Sequence, residues 1–207
     1  YILVLSHDEV VHLKCSMINK MPGLGIDKFR NLMAGYSFMI GHPGKKLLFM
    51  GQEFGQYREW SEEREIDWFL LAEEPNKHLQ DYVKELLKLY RKYPALSRDD
   101  GAEGFQWVNA DDSYRSIYSF IRWDKEGRDG ENLLFVINFT PMARADYRCG
   151  VPKKAKYSLI LNSADPKFGG EVPVKKRVYT SVAQDCDGMP YSIPYPLPPY
   201  GVAVFKF

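Results

Sequence analysis

Hydrophobic positions along the first half of the chain follow two alternating rhythms. Tyr1–Leu5 is an uninterrupted apolar run, the pattern of a strand covered on both faces. From Ile26 to Ile40, the residues Phe29, Leu32, Met33, Tyr36 and Ile40 recur at helical spacing, which stops at Gly41-His42-Pro43-Gly44. Lys46–Met50 then predicts a second short buried strand, closed by Gly51. Asn76 reads as the cap of a helix with Leu79, Val83, Leu86, Leu87 and Tyr90 on one face, ending before Pro94. Strand, helix, strand, helix implies parallel strands joined by crossovers. Tyr1–Leu5 and Lys46–Met50 are therefore expected side by side, linked by a right-handed crossover through the Ile26–Ile40 helix.

Past about Gly101 the period becomes two. Ser116–Trp123, Asn132–Phe139, Tyr157–Asn162, Arg177–Val182 and Gly201–Phe207 are short β-branched or aromatic runs between Gly, Pro, Asn and Asp turns. They predict an antiparallel sandwich or barrel. The change of texture falls in SRDDGAEG, between Ser97 and Gly104, which divides the chain into residues 1–100 and an all-β part, residues 101–207.

Composition narrows the partners. Across 207 residues, 28 basic and 27 acidic side chains leave a net charge of +1, too balanced for a phosphate-backbone ligand, so no nucleic acid is expected. No stretch reads as spanning a membrane. Cys15, Cys149 and Cys186 lie far apart without a C-x-x-C pair, which suggests neither a metal site nor a disulfide framework and fits a reducing, cytoplasmic setting. The chain opens inside an apparent strand with no initiator Met, so a preceding segment is expected.

The candidate chemistry follows the two apolar runs. Ser6-His7-Asp8-Glu9 comes directly after the first and Gly51-Gln52-Glu53-Phe54-Gly55-Gln56 after the second. In an α/β barrel, ligand chemistry gathers at the carboxyl ends of the strands, so two such clusters on neighbouring strands would share one rim. A lone acid after a strand is more often loop or cap chemistry. The adjacent His and Asp, and the repeat on the next strand, argue for a site.

LSHDEVVH, KMPG, HPGKKLLFMGQEFGQ, Glu59-Trp60 and ILNSADPKFGG together resemble the C-terminal part of the glycogen (1,4-α-glucan) branching enzymes of the α-amylase superfamily. The resemblance runs over essentially the whole chain. It implies the last two βα units of a (β/α)8 TIM barrel in residues 1–100, with Tyr1–Leu5 and Lys46–Met50 as the seventh and eighth strands, followed by an antiparallel β-sandwich in residues 101–207. It implies no cofactor and no metal. The implied reaction is retaining: a carboxylate nucleophile and a carboxylic acid cleave an α-1,4 bond, and a glucose 6-hydroxyl captures the glucanyl intermediate. By the family's pattern the nucleophile and acid belong to the fourth and fifth strands, outside this chain, so the chain alone is expected to be inactive. Asp8 corresponds to the third acid of the catalytic set, accepting sugar hydroxyls at the distorted ring, and His7 would donate to the same sugar. Glu9 and Glu53 fit either rim support or sugar contact, and Trp60 either stacking on a glucose face or packing. Many relatives carry Gly after VVH, where this chain has Leu13. The implied partner is an α-1,4-glucan, and an incomplete barrel predicts self-association through uncovered edges.

A noncatalytic glucan-binding or scaffold module is the alternative. Asp185-Cys186-Asp187-Gly188 lacks the spacing of a calcium loop and reads as a turn, and the proline-rich Tyr195–Tyr200 segment as a stiff lead into the last strand.

Overall fold

The computed structural model describes residues 5–98, 102–124, 130–171 and 176–207. Three helices, α1 (Met17–Lys20), α2 (Ile26–Gly41) and α3 (Glu74–Lys92), precede eight strands. The strands are β1 (Phe105–Asn109), β2 (Ile117–Arg122), β3 (Leu133–Asn138), β4 (Arg148–Val151), β5 (Lys156–Asn162), β6 (Val178–Thr180), β7 (Tyr191–Pro194) and β8 (Val202–Lys206). A six-stranded sheet in the order β1-β2-β3-β8-β5-β6 faces the two-stranded sheet β4-β7. Every pairing among the described residues is antiparallel.

The large sheet is covered on both sides, and β3 records this residue by residue. Leu134 and Val136 join Ile121, Ala203 and Phe205 in a core shared with Cys149, Val151 and Ile193 of the small sheet. Leu133, Phe135 and Ile137 point the other way, into a core with Phe29, Leu32, Met33, Tyr36 and Ile40 of α2. These α2 residues are the predicted apolar face, and all are buried. The helix reaches the sheet closely because it ends in glycine: a Cβ on Gly41 would lie 2.6 Å from Cζ of Phe120. Phe120 cannot retreat easily, being stacked on Phe135 at 5.0 Å.

Helix α3 packs on α2, where Ser37 Oγ and Tyr82 Oη are 2.7 Å apart, and it meets the β half where the Tyr82 ring stands edge-on to Phe168 at 5.0 Å. Arg122 ties the two textures together. Wholly buried, its guanidinium donates to the carbonyls of Gly41 at 2.9 Å, Arg98 at 2.8 Å and Gly104 at 3.2 Å.

Several expectations need correction. Lys46–Met50 forms no strand among the described residues; Leu47 and Met50 are exposed while Leu48 and Phe49 pack inward, so the run is only half covered. The proposed partner Tyr1–Leu5 lies, except for Leu5, outside the described residues, and with it the parallel pairing. Asn76 is not a cap. The helix begins at Glu74 with Pro75 in its first turn, and Asn76 sits inside, donating to the carbonyls of Phe54 at 2.8 Å and Gly55 at 3.3 Å. Leu87 is exposed rather than on the buried face.

Candidate functional site

The chain after Leu5 turns at once. Glu9 N donates to Ser6 O at 3.2 Å and Val10 N to His7 O at 2.9 Å, making His7–Glu9 a single 3-10 turn anchored by the buried Val10 and Val11. This leaves the side chains of His7 and Asp8 largely in solvent and adjacent: His7 Nε2 lies 3.1 Å from Asp8 Oδ1, and Ser6 Oγ reaches Asp8 Oδ2 at 3.4 Å. An anionic acceptor beside a ring N–H donor can grip two neighbouring hydroxyls of one sugar. Glu9 points elsewhere, forming an ion pair with Lys20 at 3.1 Å.

The following loop is unusual. His12, Leu13 and Cys15 have φ of 57°, 64° and 66°, three side-chain-bearing residues in the left-handed region within four positions. Each costs about 1–2 kcal/mol relative to right-handed backbone. The N–H groups of two of them are met by one carboxylate: Glu59 Oε2 accepts from Leu13 N at 3.0 Å and Oε1 from Cys15 N at 2.6 Å. Trp60 N donates to Val10 O at 3.0 Å, and Tyr57 O accepts from Ser16 Oγ and Asn19 Nδ2, both at 2.8 Å. Residues 57–60 thus form a strap along the loop. Lys14 closes the circuit by donating to Asp8 O at 2.9 Å.

Of the sequence-predicted residues, the fold brings His7, Asp8 and Glu9 together on one turn. Trp60 is half-buried and edge-on to Phe49 at 5.2 Å, and Phe49 lies 5.8 Å from the His7 ring. In this position Trp60 backs Phe49, which abuts His7. Glu53 sits on a separate 3-10 turn, Gln52–Phe54. That turn is held by Tyr36 Oη, which donates to Gln52 O at 2.9 Å, and by Asn76. Burial pushes the Tyr36 phenol well above its ordinary value, with the Glu53 charge adding to the effect, so it stays a donor. Arg58 joins the same region by a forked pair with the buried Asp67, whose N–H donates to Gln56 Oε1 at 2.8 Å.

A shallow cleft is lined by Val10, Gln52, Gln56 and Trp60 among others. A larger depression of about 100 Å³ lies between α2 and the loops at Ser163–Glu171 and Pro198–Tyr200, and none of the predicted site residues line it. Among the described residues, no group of His, Cys, Asp and Glu could hold a metal ion and no helix is long and apolar enough to cross a membrane. Sequence reasoning missed Glu59 and Lys14. The one signal for Glu59 was Leu13 in a place where a glycine was expected.

Residues 107–207 match the alpha amylase C-terminal all-beta domain. Over its whole length the chain is 56% identical to the 1,4-alpha-glucan branching enzyme GlgB of Butyrivibrio fibrisolvens, covering 32% of that protein. It is 46% identical to the namesake from Pseudomonas fluorescens strain Pf-5 and 44% to that from Halothermothrix orenii, covering 28% and 32% of them. The chain therefore spans about a third of the length of these curated relatives. Among solved structures, AmyP bound to maltose has a TM-score of 0.58 at 16% identity over 86% of this chain and 35% of that one. A maltotriose complex of an AmyP variant has a TM-score of 0.59 at 15% identity with the same coverage. At such identity these two matches speak to fold alone.

Proposed function

We propose, from the premise that this chain belongs to the α-amylase family as a C-terminal portion of its 1,4-α-glucan branching enzymes, that it supplies one side of the active-site rim in an enzyme that cleaves α-1,4-glucan and transfers the cut chain to a 6-hydroxyl. The observation that carries this reading is the 56% identity over the entire chain, rim included. Residues 1–100 would end the (β/α)8 barrel and residues 101–207 form the C-terminal domain. The fold likeness over 86% of the chain supports this, because it extends beyond the β half.

In this reading Asp8 accepts hydroxyls of the sugar at the cleaved bond, its charge opposing the positive character that grows at the anomeric carbon, and His7 donates to the same ring. The contact between the two side chains at 3.1 Å keeps them side by side until sugar replaces it. Glu9 and Glu53 are assigned to rim support, given their partners Lys20 and the Tyr36 neighbourhood. Trp60 is assigned to packing behind Phe49. The nucleophile and proton donor come from the preceding part of the protein, so the 207-residue chain by itself should not branch glucan. Alone, it should self-associate through exposed residues such as Leu24, Leu47 and Met50. Three free cysteines suit a cytoplasmic location.

The test is Asp8→Asn in the complete protein, following branching rate and melting temperature. Loss of a charge that acts in the transition state should lower kcat and kcat/KM together by about 10²–10³ with KM and melting unchanged. A normal rate with lowered melting would remove Asp8 from the catalytic set. The alternative, a glucan-binding module, is tested on the whole chain. An isolated β half would uncover Phe120, Phe135, Ile137, Val202 and Val204, which α2 now shields. Maltooligosaccharide binding by the whole chain, without branching by the complete protein, would favour that alternative.

A further inference from the structure

We infer that Glu59 is a positioning residue for the Asp8 rim, acting through the left-handed loop it clamps; this rests on the branching-enzyme reading for its catalytic consequence, but not for the clamp itself. The loop His12–Cys15 has no glycine, yet three of its residues occupy backbone conformations that glycine favours. Such a shape persists only where its surroundings over-determine it. Here the determinant is one carboxylate taking both exposed N–H groups, at 3.0 and 2.6 Å, in charge-assisted bonds. Leu13 contributes no packing that could substitute for the clamp, being 95% exposed.

Two links carry the position of Glu59 to Asp8. Lys14, lying between the two clamped residues, donates to Asp8 O at 2.9 Å, and Trp60 N holds Val10 O at 3.0 Å, two residues past Asp8. Glu59 is itself held, since Arg64 Nη2 donates to its carbonyl at 3.0 Å. Releasing the carboxylate would let the loop relax toward right-handed backbone, withdraw Lys14 and shift the turn that aims Asp8 and His7. A misplacement of about 1 Å at a catalytic group costs up to about 10² in rate.

Glu59→Gln is the informative change: it keeps size and one acceptor oxygen, but turns an amide donor toward a backbone N–H. In the 207-residue chain, amide exchange should show Leu13 and Cys15 losing protection, with the Asp8 amide and His7 ring resonances shifted. In the complete protein, kcat per folded molecule should fall about 10- to 100-fold with KM within about twofold. Adding Leu13→Gly should restore part of the rate, because glycine accepts the loop conformation without the clamp. Placed on Asp8→Asn, Glu59→Gln should cost little more, as expected when one residue acts through the other. Retained protection at Leu13 and Cys15, unmoved Asp8 and His7 resonances, a normal kcat with lowered melting, or multiplicative losses in the double variant would each overturn the inference. A complete wild-type protein that fails to branch glucan strikes the reading of function instead, and leaves the exchange and resonance measurements to judge Glu59.

Discussion

Replacing Arg122 with methionine removes the guanidinium while keeping most of the aliphatic stem. In the native chain that group is wholly buried and donates to three carbonyls, Gly41 O, Arg98 O and Gly104 O. Gly104 O keeps the Trp123 N–H at 3.0 Å, whereas each of the other two carbonyls, deprived of its donor, costs about 1–3 kcal/mol, so together they bound the loss at about 2–6 kcal/mol. Two effects reduce it: a buried charge no longer has to be desolvated, which returns several kcal/mol, and water can enter around the carbonyls. The expected net destabilisation is about 1–3 kcal/mol. Arg122→Lys, a point donor in place of a fork, should fall between methionine and wild type. The assay is urea unfolding of the chain followed by circular dichroism and by tryptophan fluorescence, comparing midpoints at constant slope. Because the three carbonyls belong to the end of α2 and to the segments on either side of the texture change, the two probes should report one transition in wild type. A loss below about 0.5 kcal/mol for the methionine variant, or separate transitions in wild type, would refute the view that Arg122 locks helices and sheet into one unit.

Three further changes are informative. Leu13→Gly removes a left-handed cost of about 1–2 kcal/mol and adds about 0.5–1 kcal/mol of unfolded-chain entropy, so it should stabilise by about 0.5–1 kcal/mol; a lower melting temperature would contradict the loop geometry. Gly41→Ala should destabilise by about 1–3 kcal/mol despite the better helix propensity of alanine, because the new methyl meets Phe120 at 2.6 Å, and a stabilised variant would show that the helix can back away from the sheet. His42 lies among the rings of Phe38, Phe105, Trp107 and Phe120, and burial lowers its pKa to about 4 from 6.5, the Phe38 carbonyl opposing and Lys46 and Arg122 adding to the drop. Between those two values the unfolded chain binds more protons than the folded one, so this contribution to stability is full above about pH 6.5 and declines as pH falls toward about 4. The stability gap between wild type and His42→Phe should be constant above that window and move in favour of the variant within it, and a gap independent of pH would exclude His42 as the titrating group.

What could be read in advance depended on whether a residue's role is expressed as periodicity. The face of α2 was legible because Phe29, Leu32, Met33, Tyr36 and Ile40 all serve one core, and β2, β3, β5 and β8 because their runs are long and apolar. The strands β1, β4 and β7 escaped. Trp107 of β1 stays 40% exposed, β7 ends in Pro194, and β4 contains Gly150, where a Cβ would stand 2.2 Å from the Cys186 carbonyl. Glycine there signals a close backbone approach, and nothing in a two-residue alternation announces that. Asn76 was misassigned because its amide serves the carbonyls of Phe54 and Gly55, far away in sequence, rather than its own helix end. At the site, the adjacency of His7 and Asp8 was visible as adjacency in the chain. The role of Glu59 was not, since it depends on left-handed backbone at His12, Leu13 and Cys15, which no residue type there advertises.

Helix α2 has a role that neither half of the chain suggests alone. Its C-terminal end is pressed onto the large sheet through Gly41 and Phe120, and its flank carries the rim support. Tyr36 holds Gln52 O, and Phe29 lies 6.4 Å edge-on to Tyr57, the first residue of the strap. From Tyr57 the contacts run to Ser16 and Asn19, and through Glu59 and Trp60 to the loop behind Asp8. Among the described residues the β half is therefore connected to this region through α2 and the short strap, with α3 as a second link between Phe168 and the Gln52–Phe54 turn. Changes in the face that packs on the small sheet, such as Val136→Ala, should then lower stability by cavity formation, about 1–3 kcal/mol, without altering KM or kcat of the folded complete protein. Changes at Tyr36, whose hydroxyl touches the rim support itself, should alter both. Tyr36→Phe removes one of the two donors of the Gln52 carbonyl, which keeps the Gly55 N–H at 3.1 Å, so a stability loss of about 0.5–1.5 kcal/mol accompanied by a measurable drop in kcat is the expected result. Equal catalytic effects from Val136→Ala and Tyr36→Phe would mean that the Tyr36 hydroxyl has no special part in holding the rim.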